Sequence, residues 1–341
     1  MLPSTAADER APAVSVAMKA YQHEAYVGQA IRSVLDQSFE DFELVVTDDG
    51  STDGTPDVIA SFTDARVRFE RLRTNRGIAA AMNATMRRVR GEFVAILNSD
   101  DFALPGRLER QVAFLREHPG VAAVFSVPLQ VGESGEPVAA LGSMFAIAFA
   151  DRNVSRHAWL RRFFLHGNCL CAPSAMIRRT ALAAIGPDDV RLAHLVDLDR
   201  WVRLLEQHEI RVLDEPLTAF RVRANAANAG ASRTDTRLRD TFESFEIFKR
   251  YRNFDPKLLG AIFAEDVARE GIDPNLSGPA LLGEVALTGR NAWHPLFALD
   301  TLFDAGHDFG RFRELTGRID PFHILNAAGA ADAQDSPSVL S

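Results

Sequence analysis

The sequence predicts an α/β fold with a mostly parallel, helix-covered central sheet, followed by a helical C-terminal region. Three observations predict it. Short apolar runs alternate with stretches of helical period from Ala13 to about Ser126. Two of those runs stop at paired acids, in LVVTDDGSTDGT and FVAILNSDDF. From about residue 233 the pattern turns mostly helical, beginning TDTRLRDTFESFEIFKRY.

Taken in order, VSVAM reads as the first strand, and EAYVGQAIRSVLDQ as a helix whose Tyr26, Val27, Ala30, Ile31, Val34 and Leu35 make one apolar face. FELVVT, VRFERL, EFVAIL and VAAVFS read as further strands, with helices expected at Pro56 to Phe62, Ile78 to Val89 and Arg107 to Glu117. VGESGEP reads as a turn and RHAWLRRFF as a short basic amphipathic helix. APSAMIRR reads as extended, VDLDRWVRLLEQH as helical, and IRVLDEPLTAFRV as a pair of short strands separated by Pro216. A polar break at Ala224 to Ser232 then closes a sheet domain spanning 13–232, with halves of about 13–126 and 127–232. A helical region is expected over 233–330, with flexible tails at 1–12 and 331–341.

Composition excludes several classes. The 341 residues are 47% hydrophobic and 25% charged, an ordinary globular balance. With 38 basic and 46 acidic residues the net charge is -8, which argues against nucleic acid as a partner. No apolar run approaches the 20 or so residues of a membrane span, and MLPSTAADERAPAV lacks the order of a secretion signal. Cys169 and Cys171 suit small buried residues on one side of a strand in a reducing compartment. The cytoplasm is the expected location.

In a parallel α/β sheet, ligands bind beyond the carboxyl ends of the strands. Asp48 and Asp49 end one strand; Asn98, Ser99, Asp100 and Asp101 end another. Each motif alone also reads as a turn or helix cap. Two such ends in one sheet point to a shared cleft. Asn75, Arg76 and Gly77 precede a helix, where free N–H groups and a guanidinium can meet phosphate, or simply cap that helix.

These motifs carry a resemblance. VSVAMKAYQHEAYVGQAIRSVLDQSFEDFELVVTDDGSTDGT, then NRGIAAAMN, GEFVAILNSDD and VDLDRWVRLLEQHEIRVLDEPLTAFRVR resemble family 2 glycosyltransferases of the GT-A fold, over about residues 13–232. The resemblance implies inverting transfer from a nucleotide-diphosphate sugar, usually a uridine diphosphate sugar, to a glycan, a lipid-linked saccharide or a small acceptor. It implies that Tyr21 and Asp49 hold the base, with Asp48 supporting the loop. Asp100 and Asp101 would hold Mn²⁺ or Mg²⁺ against the diphosphate, and Arg76 and Arg223 would meet phosphate. Asp197 would be the general base, or else caps its helix; His166, Asn168 and Trp201 would lie on the acceptor side, and Asp199 reads as structural or solvent-facing.

The chain departs from the family pattern at three places. Lys19, Ala20, Tyr21 and Gln22 stand where Pro-Thr-Tyr-Asn is frequent. Asn98 replaces the first acid of D-x-D. Arg223 stands where many members carry a metal-facing His. A nucleotidyltransferase and a non-catalytic glycan- or protein-binding module are the alternatives. The mixed charge of the C-terminal helices favours packing or homodimerisation over contact with a membrane surface.

Overall fold

The computed structural model describes residues 11–138, 153–223 and 234–304. Expectations for 1–10, for 224–233, for the 305–330 part of the helical region and for the 331–341 tail lie outside the described residues. The chain divides into two compact units. One holds residues up to Val154 together with Cys169–Asn228, and the other holds Ser155–Asn168 with the chain from Ala229 onward.

The first unit begins with β1 (Val14–Ala20), α1 (Glu24–Leu35), β2 (Phe42–Asp48), α2 (Thr55–Ala60), β3 (Val67–Arg71), α3 (Ile78–Met86), β4 (Phe93–Asn98), β5 (Phe102–Ala103) and α4 (Arg107–Glu117). β1 lies between β2 and β4, parallel to both, and β3 extends the parallel set beyond β2. β2 is buried along its whole length and β1 along nearly all of it. Strands covered on both faces need such continuous apolar runs. Val16, Met18, Leu44, Val46, Phe93 and Leu97 pack with Val27, Ile31 and Val34 of α1 in the same core. Each such side chain contributes about 1.5–3 kcal/mol when fully buried.

The remainder of the unit comprises β6 (Val121–Val131), β7 (Met176–Arg178), α6 (Arg179–Ile185), α7 (Val196–Leu205) and β8 (Glu209–Arg221). The helix numbered α5 (Arg156–His166) falls between β6 and β7 in sequence. The eight strands run β3-β2-β1-β4-β7-β6-β8-β5. β7 is antiparallel to both β4 and β6.

Three local expectations are corrected. APSAMIRR is not extended throughout: Ala172–Ser174 forms a 3-10 turn, and α6 starts at Arg179. Cys169 and Cys171, buried as expected, lie before that turn rather than on a strand. Pro216 does not divide its segment into separate strands. β8 runs through it, with the pairing to β6 jumping from Leu213 to Pro216 in a bulge. A bulge absorbs the missing proline N–H while the strand continues.

In the second unit, α5 is joined by α8 (Thr234–Phe248), α9 (Pro256–Glu270), α10 (Gly278–Thr288) and α11 (Trp293–Asp304). The expected basic amphipathic helix is therefore the apolar centre of this bundle. Phe164 sits edge-on to Phe248, Phe263, Trp293 and Phe297 at centroid distances of 5.1–5.5 Å. Such pairs add about 0.5–1.5 kcal/mol beyond their buried area. Arg161 makes a two-pronged pair with fully buried Asp266 at 2.6 and 2.8 Å. Among the described residues, no helix is long and apolar enough to cross a membrane.

Candidate active site

From β1 the chain builds outward through β2 and β3, then returns to place β4 on the other side of β1. The carboxyl end of β1 is thus a topological switch point, where the loops diverge and leave a crevice. Ala20 pairs with Asp48, and Lys19 pairs with Asn98. Both acidic strand ends therefore flank the same short stretch of β1.

The first acidic end is a rigid clamp. Buried Asp48 accepts from Ser51 N at 3.0 Å and from the Ser51 hydroxyl, closing its own turn. Gly50 has φ 72°, and a Cβ there would stand 2.5 Å from the Thr74 carbonyl carbon. Only glycine fits both constraints. The Asp49 N–H donates to Ala20 O at 2.8 Å, and its carboxylate accepts from Arg76 N and Gly77 N at 2.8 and 2.9 Å. Burial raises the Asp49 pKa, against the lowering effect of those two amides.

The turn role leaves room for a binding one, because a carboxylate with two bonds still has lone pairs for a third donor. Tyr21, exposed beyond β1, is followed by Gln22 at φ 54°, a left-handed conformation uncommon outside glycine. The Gln22 side-chain oxygen accepts from Thr52 N at 2.7 Å, stapling this loop to the acidic turn.

The second acidic end is organised around Lys19, one of the departures from the family pattern, and Arg221, which the sequence did not single out. Lys19 Nζ donates to Asn98 Oδ1 at 3.0 Å, and Asn98 Nδ2 donates to Asp101 at 2.9 Å. Burial lowers the Lys19 pKa, while Asp100, Asp101 and Asp197 pull it back up. Arg221 closes the other side. Its N–H donates to Asp101 Oδ1 at 2.8 Å, and its guanidinium reaches Asp100 O, Gly132 O, Glu133 O and Gln29 Oε1 at 2.8, 3.1, 2.5 and 2.5 Å.

Both Asp101 oxygens are thus engaged by protein donors, and burial beside Asp100 raises its pKa. Asp100 differs. No described residue hydrogen-bonds its carboxylate, which stands 3.8 Å from His23 Nε2. His23, on the loop between β1 and α1, also places Nδ1 2.7 Å from Ser99 Oγ. Burial lowers the His23 pKa, with Asp100 opposing and Arg223 reinforcing that shift.

Other expected residues fall as follows. Arg223 Nη1 donates to His23 Nε2 at 3.2 Å, and its guanidinium lies over Tyr26 at 5.1 Å. Arg76 is exposed on the loop that Asp49 holds. Asp197 stands in the first turn of α7, within electrostatic reach of Lys19. Asp199 pairs with Arg203 at 2.8 Å, a structural role as expected.

Trp201 is a correction. It is 1% exposed and packs edge-on against Phe125 at 4.9 Å, so it anchors α7 rather than facing an acceptor. His166 and Asn168 lie in the second unit. Among the described residues, no three His, Cys, Asp or Glu side chains form a metal cage. One available carboxylate, with phosphate oxygens completing the shell, is still a fit donor set for Mg²⁺ or Mn²⁺.

A family model described as Glycosyl transferase family 2 matches residues 15–186, half of the chain. The chain belongs to that family. EpsE of Bacillus subtilis (strain 168), which bears a glycosyltransferase name, is 30% identical over 202 residues, covering 58% of this chain and 68% of EpsE. WfgD of Escherichia coli, named UDP-Glc:alpha-D-GlcNAc-diphosphoundecaprenol beta-1,3-glucosyltransferase, is 34% identical over 30% of this chain and 40% of its own length.

Solved structures show the same GT-A fold. A fragment of S. aureus TarS in complex with UDP-GlcNAc superposes with TM-score 0.60 at 19% identity, covering 94% of this chain and 92% of that one. The mannosyltransferase PcManGT from Pyrobaculum calidifontis, in complex with GDP-Man and Mn2+, gives 0.53 at 18% identity, covering 96% and 89%.

Proposed function

We propose that this family 2 glycosyltransferase moves a sugar, with inversion, from a uridine diphosphate donor to a hydroxyl of a glycan or lipid-linked saccharide. The observation that carries this reading is the pair of acidic strand ends flanking the switch point at β1. Asp49 accepts the imide N–H of uracil while Tyr21 stacks on the ring, and Arg76 and Arg223 meet the diphosphate. Asp197 takes the acceptor proton as the acceptor oxygen bonds to the anomeric carbon. The bond from that carbon to the diphosphate oxygen breaks, and its electron pair leaves with the nucleotide.

A divalent cation on Asp100, with Asp101 beside it, would offset charge developing on the leaving diphosphate. The buried thiols of Cys169 and Cys171 support a reducing, cytoplasmic setting. Exposed Leu238, Phe242, Leu296 and Phe303 support self-association through the C-terminal helices. The glycan or lipid-linked acceptor is supported by the name of WfgD, of which the matched segment spans 40%.

The reading is tested by calorimetric titration with UDP, CDP and GDP, each with Mn²⁺ and with chelator. UDP should bind tightest, and Mn²⁺ should strengthen it. Equal affinity for all three nucleotides would remove the uridine assignment, and undiminished binding in chelator would remove the metal.

A further inference from the structure

Among the acids at the two strand ends, Asp100 alone is left without a hydrogen-bond donor from the described residues, and the side chain beside it is an imidazole from a distant stretch of the chain. His23 lies 77 positions before Asp100 in sequence, yet its Nε2 is 3.8 Å from Asp100 Oδ2. Two metal bonds of about 2.1 Å reach across such a separation.

The imidazole is held in the form that can coordinate. Arg223 Nη1, a group that can only donate, lies 3.2 Å from Nε2, so the lone pair is on that nitrogen. The proton is then on Nδ1, where Ser99 Oγ accepts it at 2.7 Å. A histidine fixed through its other nitrogen is the usual arrangement around a protein metal ion. The backbone is anchored too: the His23 N–H donates to Thr55 Oγ1 at 2.8 Å, and its carbonyl accepts from Tyr26 N and Val27 N at the start of α1.

We propose that His23 Nε2 is a ligand of the divalent cation that Asp100 holds against the donor diphosphate. This rests on the donor reading above and adds a nitrogen ligand to a site otherwise made of oxygen. On binding, Arg223 gives up its bond to Nε2 and turns its guanidinium to a phosphate oxygen. A nitrogen ligand favours Mn²⁺ over Mg²⁺, which prefers oxygen throughout.

The test uses the full chain with Mn²⁺ and UDP. Pulsed electron paramagnetic resonance of the Mn²⁺ complex should show nitrogen modulation from a directly bound imidazole, altered by ¹⁵N-histidine labelling and lost in His23→Gln. Mn²⁺ affinity in the presence of UDP should fall about 10- to 100-fold in that variant. Mn²⁺-dependent UDP binding without a histidine nitrogen signal in the wild type would overturn the ligand assignment and leave the donor reading standing. A chain that binds no UDP under any condition would overturn both.

Discussion

The Lys19 ammonium donates to the Asn98 side-chain oxygen at 3.0 Å, joining β1 to β4 where both strands end. Asp100, Asp101 and Asp197 favour a positive charge there against the lowering effect of burial. Lys19→Met removes that charge and keeps most of the volume. UDP binding in chelator should weaken, because an anion loses an attractive charge, while Mn²⁺ binding should tighten, because a cation loses a repulsive one. Each change should be at least about tenfold, since two unit charges about 4 Å apart at an effective dielectric near 20 interact by about 4 kcal/mol before screening. Calorimetry that finds both affinities unmoved would assign Lys19 to packing alone.

In the proposed reading, Asp49 couples base recognition to the loop that carries Arg76. Asp49→Asn replaces an acceptor by a donor facing two amide N–H groups, so UDP affinity should fall by about 10- to 100-fold, the scale of a charge-assisted hydrogen bond. Discrimination between UDP and CDP should fall with it. A variant that still prefers UDP by the wild-type ratio would move uracil recognition elsewhere.

Asp197→Asn keeps the shape of the first turn of α7 but removes the proton acceptor. Turnover should drop by about two to four orders of magnitude while UDP affinity is retained. The check is a transfer assay beside a UDP titration. Near-normal turnover would leave Asp197 as an element of the helix start.

His294 makes the second unit acid-sensitive. Its Nε2 contacts Phe164 O at 2.8 Å and its Nδ1 accepts from Asn291 N at 3.0 Å, which requires a neutral ring. Burial lowers its pKa to about 4. The unfolded chain, with a histidine pKa near 6.5, binds the proton first as pH falls. Stability from this residue is therefore complete above about pH 6.5 and is lost as pH falls toward 4, amounting to about 3 kcal/mol. Urea unfolding of the wild type should weaken over that window, and His294→Gln should flatten the dependence. A wild-type profile flat between pH 6.5 and 4 would contradict the burial argument.

The early strands and their acidic ends were legible because a buried parallel strand writes itself as an unbroken apolar run, and FELVVTDD and FVAILNSDD end such runs abruptly. Asp48 as loop support and Asp199 as a structural residue were legible for the same reason, since turns and i,i+4 pairs are local. Lys19 with Asn98, His23 with Asp100, and Arg221 with Asp101 were not. Each depends on strand register or loop closure across 77 or more positions, and no periodicity records that. Trp201 was misread because spacing within α7 does not say which face of the helix meets Phe125.

Arg221 gives the site an order of assembly. A nascent chain that ends before it already contains β1 to β4, the DDG turn and the NSDD loop, but not the Arg221 groups that donate to Asp101 Oδ1 and to the carbonyls of Asp100 and Gly132. Closing a loop of that length is slow relative to the local contacts of the early strands. The last of the described strands to be synthesised is thus the one that locks the NSDD loop, and a ribosome-stalled fragment stopping short of residue 221 would carry the acidic motifs in sequence while that loop lacked its lock.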